Sequence, residues 1–134
     1  MNLLRVECNL GFEGRKFLNE AEWRTYLRRK PVRYIRRPKS ATCEICREGP
    51  KDENPLQSAH KIGFDFGIVQ LAITPEFLDG ESNIVTAHRT RCNMEAELNL
   101  EDAMRLLFSL GVRELPAFLP PGIRALWTDV VVLQ

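Results

Sequence analysis

Four residues constrain this chain more than anything else in it: Cys43, Cys46, His88 and Cys92. The stretch "CEIC" makes a Cys-x-x-Cys knuckle, and "HRTRC" sets His88 and Cys92 four positions apart. Zinc takes four soft or borderline donors in a tetrahedron, commonly from two such short stretches brought together. A structural Zn2+ on these four would tie distant segments together and fold the stretch between them into one unit. The alternative is that His88 and Cys92 pack into a small core and the cysteine pair is incidental. The fourth cysteine, Cys8, reads as a buried apolar residue.

A chain of 134 residues has room for one domain with a real core. We therefore read 1–134 as a single domain. Apolar residues at 44% and charged residues at 28% fit a globular protein. No apolar run approaches a membrane span. Charges at Arg5 and Glu7 argue against a secretory signal. The expectation is a cytoplasmic protein whose reduced cysteines favour metal over disulfides.

The net charge of +1 hides an asymmetry. Arg24, Arg28, Arg29, Lys30, Arg33, Arg36, Arg37 and Lys39 follow one another with no acid among them, so the rest of the chain is net acidic. With Tyr26 and Tyr34 interleaved, this block suggests attraction to a polyanion, which makes these eight residues candidates for binding nucleic acid. A solvated helix face running into a charged linker is the other reading.

Periodicity and turn residues predict a strand over 2–10, then a helix over 20–30 capped by Asn19 and ended by Pro31. Acids lead that helix and bases close it, as its dipole prefers. Residues 31–42 read as extended, 47–55 as a polar loop, and 56–62 as a strand. On that strand Leu56, Ser58, His60 and Ile62 share one face. Residues 63–75 do not separate strand from loop. A turn at 78–82 centred on Asp79-Gly80 precedes a second strand at 83–87 and a helix over 88–100. A further helix over 101–110 stops at Gly111. A short helix at 122–127 and a strand "DVVVLQ" end the chain. The fold class is α+β: a knuckle, a hairpin and a helix (43–97), preceded by a basic helix and arm (19–42) and followed by an extension (101–134). Leu106, Leu107, Phe108, Leu110, Phe118, Leu119, Leu126 and Trp127 in the extension read as core.

The ordered set "CEIC … PLQSAHKI … LDGESNIVTAHRTRCN" resembles the HNH endonuclease family. His60-Lys61-Ile62, Gly80-x-x-Asn83-Ile84-Val85 and Cys92-Asn93 carry the resemblance over 43–97. It implies a ββα-metal finger and an enzyme that hydrolyses phosphodiester bonds, with double-stranded DNA as the expected partner. His60 would be the general base, Asn83 would orient it or touch the metal, and Asn93 would bind a catalytic Mg2+ or Mn2+. The sequence departs from the family at Ala59, where many members have an aspartate that binds the metal; Asp65, Asp79 and Glu81 are the candidates to replace it. His88 and Cys92 also stand where a second Cys-x-x-Cys is usual. The competing reading is a zinc-stabilised module that binds nucleic acid or assembles with other proteins and has lost catalysis. No stretch reads as a recognition helix, so weak specificity or targeting by a protein partner is expected.

Overall fold

A computed structural model of the chain describes residues 5–7, 14–35 and 39–133. Cys8, Arg36 and Arg37, and most of the expected N-terminal strand, lie outside the described residues. The fold is α+β, as expected, with two separate two-stranded sheets among the described residues. Strand β1 (Arg5–Glu7) runs parallel to β2 (Arg33–Ile35). Strand β3 (Leu56–His60) runs antiparallel to β4 (Ile84–His88).

Helix α1 (Glu20–Tyr26) starts where the sequence places it. Asn19 accepts the Glu22 N–H, and Glu22 accepts the Asn19 N–H in return, a reciprocal cap that satisfies two otherwise orphaned donors. The helix ends at Tyr26, four residues before the predicted stop. Past it, Leu27 is largely exposed and the chain tightens, Arg28 N–H reaching back three residues to the Thr25 carbonyl. No apolar face draws this stretch inward, and the approach to Pro31 disfavours helical backbone.

The connection between β3 and β4 corrects the simple hairpin turn. Residues 61–83 hold two helices, α2 (Phe64–Leu71) and α3 (Pro75–Leu78), and a 3-10 turn over Glu81–Asn83. The undecided stretch 63–75 is thus mostly helix. Gly67 lies against Leu78, and a Cβ there would come within 2.5 Å of a Leu78 methyl, so only glycine lets α2 and α3 approach this closely. The predicted helix over 88–100 is also corrected. His88 ends β4, Arg91 takes a left-handed φ of 75°, and only Cys92–Ala96 form α4. That break turns His88 and Cys92 towards each other.

Helix α5 (Leu100–Ser109) is capped by Asn99 and closed by Gly111 at φ 99°. Val112 N–H bonds the Leu107 carbonyl and Gly111 N–H the Phe108 carbonyl, the paired closure that a left-handed glycine permits. Helix α6 (Pro121–Trp127) continues as a wider π-turn over Thr128–Val132 rather than the predicted strand. The helical path instead buries Val130 and Val131 and leaves Val132 outside. Tertiary packing overrides the β preference of a valine run.

Two cores result. The larger gathers Ile62, Ile68, Leu71, Ile73, Leu78, Met104, Leu107, Leu119 and Trp127 from α2, α3, α5, α6 and their flanks. Of the extension residues expected to pack there, Leu107, Leu119 and Trp127 are buried, and the other five lie half-buried against them. The smaller core holds Cys43, Ala59, Ala87, Cys92 and Ala96, where α4 packs on the β3–β4 hairpin.

Candidate metal centre and the histidine at the far end of the hairpin

The knuckle is built by its backbone. Cys43 N–H bonds the Glu48 carbonyl, Arg47 N–H bonds the Cys43 carbonyl, and Arg47 takes a left-handed φ of 72° to close the turn. The N–H groups of Ile45 and Cys46 point at Cys43 Sγ from 3.4 and 3.5 Å. The knuckle is fastened to the outer edge of β4 at Thr86. Glu44 N–H bonds the Thr86 carbonyl, the Glu44 carboxylate accepts the Thr86 N–H, and Thr86 Oγ1 accepts N–H groups from Lys39 and Ser40.

This places Cys43, Cys46, His88 and Cys92 together, with one donor atom from each lying within 4.8 Å of the others. His88 Nδ1 is 3.4 Å from Cys46 Sγ and 3.8 Å from Cys92 Sγ. Its other nitrogen, Nε2, is 2.8 Å from the Gly49 carbonyl, which accepts a hydrogen and so requires Nε2 to carry the proton. That fixes the tautomer with the Nδ1 lone pair aimed at the thiols, the outer-shell arrangement a metal-binding histidine needs. Burial opposes charge on Cys43, but the backbone N–H groups around it hold its pKa down to about 6. Burial, then hydrogen bonds and charge from Cys43 and Cys46, push Cys92 up to about 11. Three thiolates cannot share this space unless a divalent ion neutralises them. The chemistry of the set, three sulfurs and one imidazole nitrogen, fits a metal ion such as zinc.

His60 lies elsewhere. In the strand register Leu56 faces His88 and His60 faces Ile84, so the two histidines share one face at opposite ends of the hairpin. Four residues of strand separate those ends by about 13 Å. A metal held by Cys43, Cys46, His88 and Cys92 therefore braces the hairpin and does not touch His60.

His60 has its own surroundings, with 24% of its side chain exposed. Nε2 is 2.7 Å from Asp79 Oδ1. Asp79 closes α3, its side chain is only 1% exposed, and it also takes a paired grip from Arg33: Nε to Oδ2 and Nη2 to Oδ1, each at 2.9 Å. The Tyr34 N–H donates to Oδ2 as well. Burial alone would raise the Asp79 pKa; the hydrogen bonds from His60, Arg33 and Tyr34 overcome it and hold the carboxyl at about 2. The Arg33 guanidinium lies 3.6 Å over the Phe64 ring, and Phe64 stands edge-on to His60 with centroids 6.1 Å apart.

Asn83 is fully buried, and its amide is occupied: Oδ1 accepts the Ile62 N–H, and Nδ2 donates to the Ile62 and Leu78 carbonyls. It locks the chain two residues past His60 to the end of α3. Asn93 sits half-buried in the first turn of α4, and no hydrogen bond among the described residues joins it to His60.

The expected catalytic cation finds no set of protein ligands here. Ala59 is buried under α4. Hydrogen bonds from Arg33, Tyr34 and His60 engage both carboxylate oxygens of Asp79. Asp65 and Glu81 are exposed, at the starts of α2 and of the 3-10 turn. Among the described residues the sulfur–imidazole cluster is the only group of three or more His, Cys, Asp or Glu side chains suited to a metal. The residues around His60 do not fit a protein-held Mg2+ or Mn2+.

The basic block divides. Arg28, Arg29, Lys30 and Lys39 are exposed. Arg24 is exposed but pairs with Glu20 on its own helix. Arg33 turns inward to Asp79. Lys61, outside the block, sits beside Lys39; burial and then that neighbouring charge lower its pKa.

No described helix is long and apolar enough to cross a membrane. Sequence reasoning treated Asp79 as a turn residue and a spare ligand, and nothing local marks it as the partner of His60. The Gly49 carbonyl carries no signal at all, because any residue could supply it. No protein-family model matches this chain, and no curated protein or solved structure matches it either.

Proposed function

We propose that the chain is a nuclease of the HNH type that hydrolyses DNA phosphodiester bonds, with His60 as general base on a zinc-braced ββα-metal finger. The observation that carries this reading is the state of His60. One ring nitrogen is held by a buried, ionised aspartate, and no described residue hydrogen-bonds the other. A histidine held this way can take a proton through its second nitrogen. His60 Nδ1 would accept a proton from water as the water oxygen bonds to phosphorus and the P–O3′ bond breaks. The leaving oxygen takes its proton from solvent. In this class of reaction a divalent cation steadies charge on the leaving oxygen; the side chains around His60 offer it no complete site among the described residues. Arg28, Arg29, Lys30 and Lys39 would hold the phosphate backbone without reading bases, so binding should weaken steeply with salt.

A second reading rests on Ala59. This residue lies under α4 where an acidic ligand is expected, as it would in a binding module that keeps the finger without the chemistry.

A supercoiled-plasmid assay with Mg2+ or Mn2+, with EDTA, and with the His60→Ala protein tests both. Nicking by the wild type that falls by about 10²-fold or more in the variant supports the nuclease. Intact plasmid with both proteins, together with an equal salt-sensitive gel shift, supports the binding module.

A further inference from the structure

We propose that Asp79 is the positioning residue for His60, holding the Nε2–H tautomer so that Nδ1 is the nitrogen that accepts the proton, and that Arg33 holds Asp79 in turn. This rests on the nuclease reading and adds to it a chain of three side chains, Arg33, Asp79 and His60, from three separate segments.

The argument starts from donors and acceptors. An ionised carboxylate only accepts, so the 2.7 Å contact between His60 Nε2 and Asp79 Oδ1 requires the proton on Nε2. Neutral imidazole carries one ring proton, which leaves Nδ1 as the base. The carboxylate cannot rotate away from this task. Oδ2 is held by Arg33 Nε and the Tyr34 N–H, and Oδ1 by Arg33 Nη2. Arg33 and Tyr34 belong to β2, His60 to β3, and Asp79 to the end of α3. Phe64 fixes the ring from a second side, and Arg33 covers Phe64 in its turn. Arg33 therefore joins the basic arm to the base rather than to phosphate.

Replacing Asp79 by asparagine makes the idea testable because the amide has only one oxygen. Wherever that oxygen points, the NH2 meets donors. Keeping the oxygen towards the fixed Tyr34 N–H and Arg33 Nε puts the NH2 against His60 Nε2. The ring relieves the clash by moving its proton to Nδ1, which removes the base without removing the histidine.

The first test is the tautomer of His60 in the unmodified protein, read from imidazole nitrogen-15 shifts above pH 8. The chain has two histidines, and His60→Gln assigns the signals. A protonated Nε2 is expected; protonated Nδ1, or an averaged ring, overturns the proposal and needs no variant to fold. The second test is Asp79→Asn: a shift to the Nδ1–H form, with kcat for plasmid nicking down by about 10²-fold or more and KM within about threefold. Cleavage that depends on His60 yet keeps its kcat in Asp79→Asn overturns the positioning role and spares the nuclease reading. A wild type that cuts nothing while His60 keeps Nε2–H overturns the nuclease reading and leaves the ring-setting role of Asp79 standing.

Discussion

The two cores of this molecule are held by different physics. The larger is filled with Ile, Leu, Met, Val and Trp from four helices and their flanks, and each such side chain contributes about 1.5–3 kcal/mol by leaving water. The smaller is walled by three alanines and two cysteines, with only Leu56 and Val85 half-buried beside it. Alanines let α4 lie close on the hairpin, but they remove little apolar surface from water. Such a unit gains most from a cross-link, and Cys43, Cys46, His88 and Cys92 stand close enough together to hold a metal ion that would supply one. The contrast also accounts for Ala59. Its place is set by the packing of α4, where an aspartate would be a buried charge.

The comparison can be broken most forcefully at the metal. If the site holds zinc, chelation should remove on the order of 10 kcal/mol of binding free energy from the small core, and Cys43→Ser a part of it. Amide exchange should then lose protection across the knuckle and α4 while α2 and α5 stay protected. Uniform loss through the chain would mean that the two cores are one cooperative unit. A smaller perturbation from the other side is Leu107→Ala, fully buried in the larger core. It should cost about 2–5 kcal/mol in urea unfolding and leave metal stoichiometry unchanged. Lost stoichiometry would show that the helical core holds the ligands in place.

The smallest effect concerns the seam between the cores. The folded pKa of Asp79, about 2, lies below the 3.8 of an unperturbed aspartate. A depressed carboxyl stabilises the fold above the unfolded pKa, and that contribution is lost as pH falls through the folded one. It should be worth about 2 kcal/mol near neutrality and fade between pH 4 and pH 2. Comparing wild type and Asp79→Asn by urea unfolding at pH 7, 5 and 3.5 should show a gap that begins to narrow only at the lowest value. A gap that does not change with pH would place the stabilisation elsewhere.

Legibility followed the same division. The clustering of Cys43, Cys46, His88 and Cys92 could be read from the sequence because sulfur and imidazole at short spacings have few other uses. The caps at Asn19 and Gly111 were legible because their chemistry is local. The helices between β3 and β4 were not, since α2 is apolar on most sides, with Val69 exposed beside buried Ile68, and α3 has only four residues. The terminal valines misled for the opposite reason: their intrinsic preference is strong, and tertiary packing overruled it. Arg33 illustrates a further limit. Within a run of bases it looks like its neighbours, and only the fold brings it to a carboxylate far along the chain.

The path of residues 61–83 bears on how quickly the hairpin can form. Closing a long loop costs entropy that grows with the logarithm of its length, and strand pairing across such a gap is slow when the loop is slack. Here the loop is not slack: Ile62, Ile68, Leu71, Ile73 and Leu78 bury themselves in the larger core. Asn83 then clips the returning chain to Ile62, and Lys61 N–H bonds the Asn83 carbonyl. Helical collapse delivers the two strand ends already adjacent, so pairing proceeds outward from His60 towards His88 like a zip. On this route Cys43, Cys46, His88 and Cys92 come together last, at the end of the hairpin farthest from the closed loop.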